Sequence, residues 1–493
     1  MTTDWHHRAS TIHRPTRPFV DGAAIDVDAS RTFASTGPRD GGEVARFPAC
    51  DEATVDRAVA AARAAFADGR WRGQAPAARK AVLLRFAELI DEHRDDLALL
   101  ETLDTGKPIG DTTAVDATSV GATIRWYAEA IDKRTDEVAA TGPDALATIT
   151  REPVGVVGAI VPWNYPLIIT GWKLGPALAT GNSVVVKPAE QSTMATLLLA
   201  ELGARAGLPD GVLNVVTGEG DTGALLARHP DIDKLTFTGS TPVGREVLRA
   251  SADSNLKHVS LELGGKSPQL VFGDVDDLDA VAQGIGWGIF YNQGQTCHAG
   301  SRLVVAEQIA GELVTKVAAF ARGMVPGDPL DEDTALGAMI SHEQLDAVVA
   351  RLDAARASGA TVHGGEVVEP VVGGAYLTPA IVDHVDADAA IAREEVFGPV
   401  LVVQRFDGTE AVGTALAADT DYGLAGAVWT SDFAKGERAA RSIRAGIVYV
   451  NCFDVGDVTV PHGGYGLSGF GGRDKSLHAF DQYTEVTTIW RQR

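Results

Sequence analysis

Cysteine is scarce in this sequence, since Cys50, Cys297 and Cys452 are the only three among 493 residues. Thiols so few and so widely spaced argue against a disulfide framework and a cysteine-rich metal site, so we expect no metal and a reducing compartment. Basic side chains are also in short supply, with 43 lysines and arginines against 66 acidic residues and a net charge of −23. Such a surface repels phosphates, which argues against nucleic acids and anionic membranes as partners.

Long apolar runs are missing as well. The most apolar stretch, residues 154–170, is interrupted by Pro162, Asn164 and Pro166, which disfavours a membrane span. Residues 1–19 contain three arginines and no continuous apolar core, which argues against a secretory signal. We therefore expect a soluble protein of the cytoplasm.

The middle of the sequence contains a strict alternation of short apolar strands and helices. The strands are predicted at residues 154–161, 183–187, 212–216, 235–237 and 258–261. Buried strands separated by helices predict a parallel sheet covered on both faces, and such sheets bind ligands at the carboxyl ends of their strands. A second alternating block runs from residue 269 to about 471, so the chain is expected to form two or more globular units.

Other segments flank these two blocks. Helical runs are predicted at residues 52–69, from Pro76 to about Leu103, and at about 112–133. Two short extended runs within residues 137–152 predict a hairpin, and residues 480–490 alternate like a terminal strand.

Cys297 is the strongest candidate for chemistry. It follows Gly294-Gln295-Thr296, a flexible polar segment that presents its thiol to a ligand. The glycines of residues 218–223 match the dinucleotide pattern G-x-G-x-x-G, but the next strand does not end in an acidic residue, so a plain turn explains them equally well. Ser240 precedes a helix whose N-terminus can hold a phosphate. If Lys187 and Glu190 are considered alone, an ion pair on the surface explains their charges as well as a ligand site does.

Six motifs occur in one order along the chain and together resemble the NAD(P)-dependent aldehyde dehydrogenase superfamily. They are Pro162-Trp163-Asn164-Tyr165-Pro166, Lys187-Pro188-Ala189-Glu190, Phe237-Thr238-Gly239-Ser240, Leu261-Glu262-Leu263-Gly264-Gly265-Lys266, Asn292-Gln293-Gly294-Gln295-Thr296-Cys297 and Glu394-Glu395-Val396-Phe397-Gly398-Pro399. Residues 171–178 and 472–479 are most similar to bacterial dehydrogenases of γ-glutamyl-aminobutyraldehyde and related ω-aminoaldehydes. The resemblance implies oxidation of an aldehyde to its carboxylic acid with NAD.

The resemblance also implies roles for individual residues. Cys297 would be the nucleophile that forms a thiohemiacetal and then an acyl-thioenzyme. Asn164 and the Cys297 backbone N–H would form the oxyanion hole. Glu262 would activate the hydrolytic water and help to deprotonate Cys297, with a pKa raised by its apolar neighbours.

Ten residues are implied to bind the cofactor: Trp163, Lys187, Glu190, Gly220, Gly239, Ser240, Gly244, Leu263, Glu395 and Phe397. Lys187 and Glu190 would contact the adenosine ribose, Glu395 the nicotinamide ribose, and Phe397 would pack beside the nicotinamide. A carboxylate at the position of Glu190 would repel the extra phosphate of NADP, so NAD is the expected cofactor.

The aldehyde itself is harder to predict. Tyr165, Trp172, Tyr291 and His462 correspond to positions that line the aldehyde channel in the family, where aromatic faces hold an apolar chain or a cation. Asp116 is a candidate anion for a substrate amine, although a solvated helix face explains it equally well. A broad-specificity aliphatic or betaine aldehyde dehydrogenase is the alternative.

The fold implied is α/β, with a Rossmann-like parallel-sheet cofactor domain, an α/β catalytic domain and a small β arm for oligomerisation. The ranges are 1–136 and 153–263 for the NAD-binding domain, 264–472 for the catalytic domain, and 137–152 with 473–493 for the arm. A homodimer or homotetramer is expected, because an isolated two-stranded ribbon is marginal in water. The enzymatic rivals are a CoA-acylating dehydrogenase and a cysteine esterase that uses Cys297 with His298.

Overall fold

The structure, a computed structural model, describes residues 3–28 and 30–492. The outermost residues of the predicted first and last segments, and residue 29, therefore lie outside the described part. Two large sheets and a small three-stranded sheet organise the chain. The predicted α/β class is confirmed.

The first sheet has eight strands, and its five central strands are parallel. Their order across the sheet is Ala23–Ala24, Phe19–Val20, Leu213–Val215, Ser183–Pro188, Val156–Val161, Lys234–Thr238, His258–Glu262 and Gly469–Phe470. The central strands are buried along their length, as expected for a sheet with helices on both faces.

The second sheet has seven strands, all parallel except the first. Their order is Thr361–Gly364, Ala380–Asp383, Val400–Phe406, Arg302–Ala306, Pro268–Val271, Ala425–Trp429 and Ile447–Val450. The sequence block from residue 269 to about 471 thus forms a sheet of its own, except that Gly469–Phe470 joins the first sheet.

The predicted hairpin and terminal strand belong to one antiparallel sheet, which we call the arm sheet. Its strands are Thr484–Gln492, Ala145–Pro153 and Glu137–Ala139, with the longest strand in the middle. Two smaller hairpins pair Thr32–Thr36 with Glu43–Pro48 and Val367–Val368 with Tyr376–Leu377.

Helices cover both large sheets. Their bounds are Trp5–Thr11, Glu52–Ala67, Pro76–Glu92, Arg94–Thr105, Ile109–Asp111, Ala117–Ala130, Pro166–Thr180, Met194–Ala206, Gly220–Arg228, Thr241–Ala252, Leu278–Phe290, Glu307–Gly323, His342–Ala357, Ala390–Arg393, Glu410–Ala418 and Phe433–Ser442. Short 3₁₀ turns occupy Tyr291–Gly294, Gly466–Ser468 and Leu477–Gln482. Within the described ranges, none of the helices combines the length and apolar character that a bilayer crossing requires.

The helix predicted from Pro76 to about Leu103 is in fact two helices. The chain leaves helical geometry at His93, whose φ is −104° and ψ 17°, and the next helix begins at Arg94. The His93 ring contacts Asp96 in the first turn of that helix. The predicted end of the helix near Leu103 is confirmed, because the second helix ends at Thr105 and Gly106 follows it in the left-handed conformation at φ 74°.

Candidate active site

Polar residues collect at the carboxyl edge of the first sheet. Asn164 follows one central strand, Lys187 lies near the end of the next, and Glu262 is the last residue of a third. Chain order reverses between strands Val156–Val161 and Lys234–Thr238, because Val156–Val161 pairs with Ser183–Pro188 on its other side. A crevice forms at such a reversal and binds ligands in many α/β proteins.

A cleft of about 750 Å³ opens at this reversal. Six of the predicted cofactor residues line it, namely Trp163, Lys187, Glu190, Gly220, Gly239 and Ser240. A second cavity of about 340 Å³ shares Trp163, Gly239 and Ser240 with the cleft and adds Leu263, Glu395 and Phe397. The two spaces therefore adjoin at these residues, with Glu190 lining the first and Cys297 lining the second.

The Lys187–Glu190 pair faces this cleft. The Nζ of Lys187 lies 3.4 Å from a carboxylate oxygen of Glu190, and the lysine side chain is only 5% exposed. Burial lowers the pKa of Lys187, and the Glu190 carboxylate opposes that shift. A lysine this buried at the wall of a cleft is not one half of a solvated surface pair.

Glu395 lies at the far end of the second cavity and is held by the glycines that follow Glu262. Its carboxylate accepts a hydrogen bond of 3.0 Å from the Gly265 N–H. A Cβ on Gly264 would lie 2.1 Å from the same carboxylate, so any other residue there would have to displace the Glu395 side chain. Burial raises the pKa of Glu395 to about 7.

Two further cofactor candidates are placed by packing. Phe397 has a positive φ of 56°, and its ring stands edge-on to Trp163 with centroids 5.3 Å apart. Gly244 lies inside the helix Thr241–Ala252, where a Cβ would meet Leu263 at 2.8 Å. The absence of a side chain at Gly244 allows Leu263 to approach the helix. Gly244 itself lines neither cavity.

The residues of both spaces suit a dinucleotide. The Oγ1 of Thr238 is buried beside both and has no hydrogen-bond partner within residues 3–28 and 30–492. A Cβ added to Gly220 would enter open space, so nothing obstructs a ligand there. An unpaired donor, a buried cation and an open glycine turn form a site for ribose and phosphate groups.

The loop before Cys297 has an unusual backbone. Asn292, Gln293 and Gly294 all have positive φ values, of 49°, 54° and 66°. A Cβ on Gly294 would lie 2.1 Å from the Gly398 carbonyl oxygen, so this motif packs directly against the one that contains Phe397. Positive φ at two non-glycine residues is strained and is common at functional sites.

Hydrogen bonds attach this loop to the Asn164 segment. Asn164 Nδ2 donates to the Gln295 carbonyl at 2.9 Å, which uses one of its two N–H groups. The Tyr165 hydroxyl lies 2.8 Å from Thr296 Oγ1. The predicted oxyanion donor and the predicted nucleophile are thus held by one short network.

Cys297, Glu262 and Asn164 line the same 340 Å³ cavity. Burial, followed by the charge of Asp474, raises the pKa of Glu262 well above its ordinary value. One carboxylate oxygen of Glu262 is buried without a hydrogen-bond partner among the described residues. The predicted direction of the pKa shift agrees with this geometry, and a carboxyl of raised pKa suits proton transfer near neutral pH.

A buried ion pair near Glu262 was not foreseen from the sequence. Lys173 Nζ lies 2.5 Å from Asp474, and both side chains are at most 2% exposed. The two residues are 301 positions apart, so spacing gave no signal. Opposite effects of Asp474 and Lys173 on the pKa of Glu262 show that the pair belongs to its electrostatic surroundings.

Aromatic side chains lie close to the loop that bears the thiol. The rings of Trp172 and His462 are 5.0 Å apart, and Tyr291 packs 6.3 Å from Trp287. Tyr165 joins this group through its bond to Thr296. The predicted substrate residues Tyr165, Trp172, Tyr291 and His462 are all partly or fully buried.

Asp116 does not lie on a solvated helix face, so that interpretation is wrong. Its side chain is fully buried in a π-helical turn, 2.6 Å from Lys107 Nζ. Lys107 also contacts Glu101 at 3.0 Å and lies 4.1 Å from the centre of the Tyr165 ring. One carboxylate oxygen of Asp116 is thus paired with Lys107, and the same lysine also contacts the Tyr165 ring.

A sequence model of the aldehyde dehydrogenase family matches residues 25–489. The chain belongs to the aldehyde dehydrogenase family. This aldehyde dehydrogenase is 49% identical to an aminoacetaldehyde dehydrogenase of Pseudomonas aeruginosa, over 98% of this chain and 97% of the relative. It is 47% identical to the NADP/NAD-dependent aldehyde dehydrogenase PuuC of Escherichia coli, over 99% and 97%.

Solved structures agree with these relatives. An indole-3-acetaldehyde dehydrogenase in complex with NAD⁺ superposes with a TM-score of 0.98 at 46% identity, covering 99% of each chain. A γ-glutamyl-γ-aminobutyraldehyde dehydrogenase from Burkholderia cenocepacia gives 0.97 at 49% identity, again over 99% of each chain. This aldehyde dehydrogenase therefore oxidises an aldehyde to the carboxylic acid with NAD, and the predicted family and cofactor are confirmed.

Proposed function

We propose that the physiological substrate is an ω-aminoaldehyde or γ-glutamyl-aminobutyraldehyde, oxidised through a covalent adduct on Cys297. The observation that carries the mechanism is the 340 Å³ cavity that Cys297, Asn164 and Glu262 share, next to the cofactor cleft. A nucleophile, an oxyanion donor and a base in one cavity are the groups that addition to a carbonyl and hydrolysis of a thioester require.

The chain's own residues divide the reaction between them. The Cys297 sulfur adds to the aldehyde carbon, and Asn164 with the Cys297 N–H stabilises the negative oxygen that forms. Bound NAD supplies the acceptor for the hydride that leaves this adduct. Glu262 then takes a proton from water, which attacks the thioester and releases the acid.

Replacing Glu262 by glutamine should separate the two halves of the reaction. Without the carboxylate the thioester still forms, so we expect a burst of about one NADH per active site followed by turnover slowed by roughly 10²–10⁴-fold. Stopped-flow absorbance measures both phases, and Glu129→Gln, an exposed helix position, is the matched control. Loss of the burst itself would contradict this division.

Negative charge behind the aromatic side chains supports an amine-bearing substrate. Burial, together with the charges of Asp116, Asp111 and Asp454, raises the pKa of Tyr291. A substrate cation near Tyr291 would meet its ring and the negative charge of Asp111, whereas the charge of Asp116 is paired with Lys107.

A substrate panel tests the proposed class. We expect kcat/KM to be highest for 4-aminobutanal or its γ-glutamyl form, and lower for betaine aldehyde and hexanal. NADH formation is followed with and without CoA. Dependence on CoA would support the acylating rival, and hexanal as the best substrate would support the broad-specificity alternative.

Preference for NAD over NADP follows from Glu190. Its carboxylate stands at the cleft beside Lys187, where it accepts hydrogen bonds from hydroxyls and repels an added phosphate. We expect a higher kcat/KM with NAD than with NADP, and a smaller difference in Glu190→Gln. Equal efficiency of the two cofactors in the unmodified enzyme would overturn the preference.

The division into domains and the role of the arm are part of the same proposal. The two large sheets support a cofactor domain and a catalytic domain, with one difference from the predicted boundaries. Gly469–Phe470, inside the range predicted for the catalytic domain, is the last strand of the first sheet. On the arm sheet, Val138, Val486 and Trp490 are each more than 60% exposed, which suits docking onto a partner subunit. A homodimer or homotetramer in light scattering is the expected result. A cytoplasmic location is proposed because Cys297 must remain a free thiol.

A further inference from the structure

The Cys297 sulfur lies beside a histidine–carboxylate pair that the reaction above does not use. His298 Nδ1 is 3.8 Å from the sulfur, and His298 Nε2 is 2.7 Å from Asp454. Asp454 follows His298 by 156 positions, so the three groups meet only in the folded chain. A thiol, an imidazole and a carboxylate in this order match the arrangement that activates cysteine nucleophiles on unrelated folds.

Packing fixes the direction of the imidazole ring. Since Asp454 accepts from Nε2–H, the other ring nitrogen, Nδ1, is directed toward the sulfur. Phe453 lies nearly parallel to the ring at 6.5 Å, and His462 packs edge-on at 5.5 Å. The His298 side chain is 13% exposed, so water competes little for either nitrogen.

The charges around His298 favour its cationic form. The groups that face it or its partners are Cys297, Asp454, His462, Lys475, Tyr165 and Tyr449. Burial opposes the charge on His298, but Asp454 and, to a smaller extent, Cys297 together outweigh burial and raise the pKa of His298 to about 10. Burial and the neighbouring His298 lower the pKa of His462 well below its ordinary value, so His462 adds no competing charge near neutral pH.

We propose that His298, held by Asp454, takes the proton of the Cys297 thiol and stays beside the sulfur as the counter-ion of its thiolate. The S–H bond breaks, a bond from that proton to Nδ1 forms, and the Nε2–H remains donated to Asp454. No electron is transferred in this step. The sulfur then attacks the aldehyde as a thiolate, and it meets the same imidazolium when hydrolysis of the thioester releases it.

This assignment narrows the role of Glu262. Because the thiol proton rests on His298 throughout turnover, Glu262 is needed as a base only for the water that attacks the thioester. The earlier expectation that Glu262 also deprotonates Cys297 is then unnecessary.

The test is the pH dependence of alkylation of Cys297 by iodoacetamide in the full-length free enzyme, read from the Cys297 peptide by mass spectrometry. The midpoint of the unmodified enzyme is the reference for the variants. His298→Gln should raise that midpoint by about one pH unit or more, because a cation within contact distance is lost. Asp454→Asn should raise it less.

His258→Gln is the matched control, since His258 forms an exposed pair with Glu485 at 3.4 Å. It should leave the midpoint unchanged, and thermal melting with NAD binding checks that each variant is folded. The proposal is overturned if His298→Gln and the unmodified enzyme give the same midpoint. Should His298→Gln fail to fold, an unchanged midpoint in Asp454→Asn overturns it as well.

Discussion

Replacing Cys297 by alanine is expected to lower aldehyde-dependent NADH production by at least about a thousandfold, because no covalent adduct can form. Binding of NAD should persist, since most of the cleft wall is contributed by the first sheet and the helices after its strands. Steady-state absorbance with the aldehyde panel measures the first quantity, and calorimetric titration with NAD measures the second.

Cys50→Ala is the control for removal of a thiol. Cys50 is buried, and burial raises the pKa of its thiol, so it is a poor nucleophile. We expect this variant to retain its dehydrogenase activity. Undiminished activity in Cys297→Ala would remove the nucleophile from the proposed mechanism and leave only the family assignment.

Replacing Lys107 by methionine is expected to destabilise the fold by about 3–5 kcal/mol, since a buried cation would be removed from between two carboxylates. Lys107 contacts both Glu101 and Asp116, and all three side chains are fully buried. Glu101 also accepts from the Leu167 N–H at the start of the helix after Asn164. The damage should therefore reach the active site, and the denaturation midpoint and kcat should fall together.

Lys80→Met provides the comparison for that effect. Lys80 pairs with Asp132 at 3.4 Å near the surface, where its side chain is 28% exposed. Exposed pairs contribute about 0–1 kcal/mol, so this variant should unfold close to the unmodified enzyme. Equal midpoints for Lys107→Met and Lys80→Met would show that the buried cluster does not stabilise the chain.

Local sequence patterns predicted much of the fold because they report local geometry. Apolar strands such as residues 154–161 and 183–187 stand close to their observed bounds, since continuous burial leaves a continuous apolar run. The break at His93 was missed because helical periodicity continues on both sides of it. The motifs around Cys297 and Glu262 predicted residues that share one cavity.

No signal in the sequence marks contacts between residues that are far apart along the chain. From the sequence, Asp116 is a charged residue in a predicted helix. Only tertiary packing shows that Lys107 neutralises the Asp116 carboxylate inside the protein. The approach of Asp454 to His298 depends on how a loop after the second sheet returns to the nucleophile. Spacing along the chain does not encode such contacts, so charged residues in them resemble ordinary surface residues.

The arm sheet has a consequence for biosynthesis. Strand Ala145–Pro153 pairs along its whole length with Thr484–Gln492. One contact between them joins Thr150 to Thr487, which are 337 positions apart along the chain. During translation the earlier strand must wait, with an open edge, until residues 484–492 have left the ribosome. Unpaired edges recruit other strands, so a stalled or truncated chain should aggregate or be degraded. Closing this edge would thus be among the late steps of folding, and a chain that stops before residue 484 would keep the edge open.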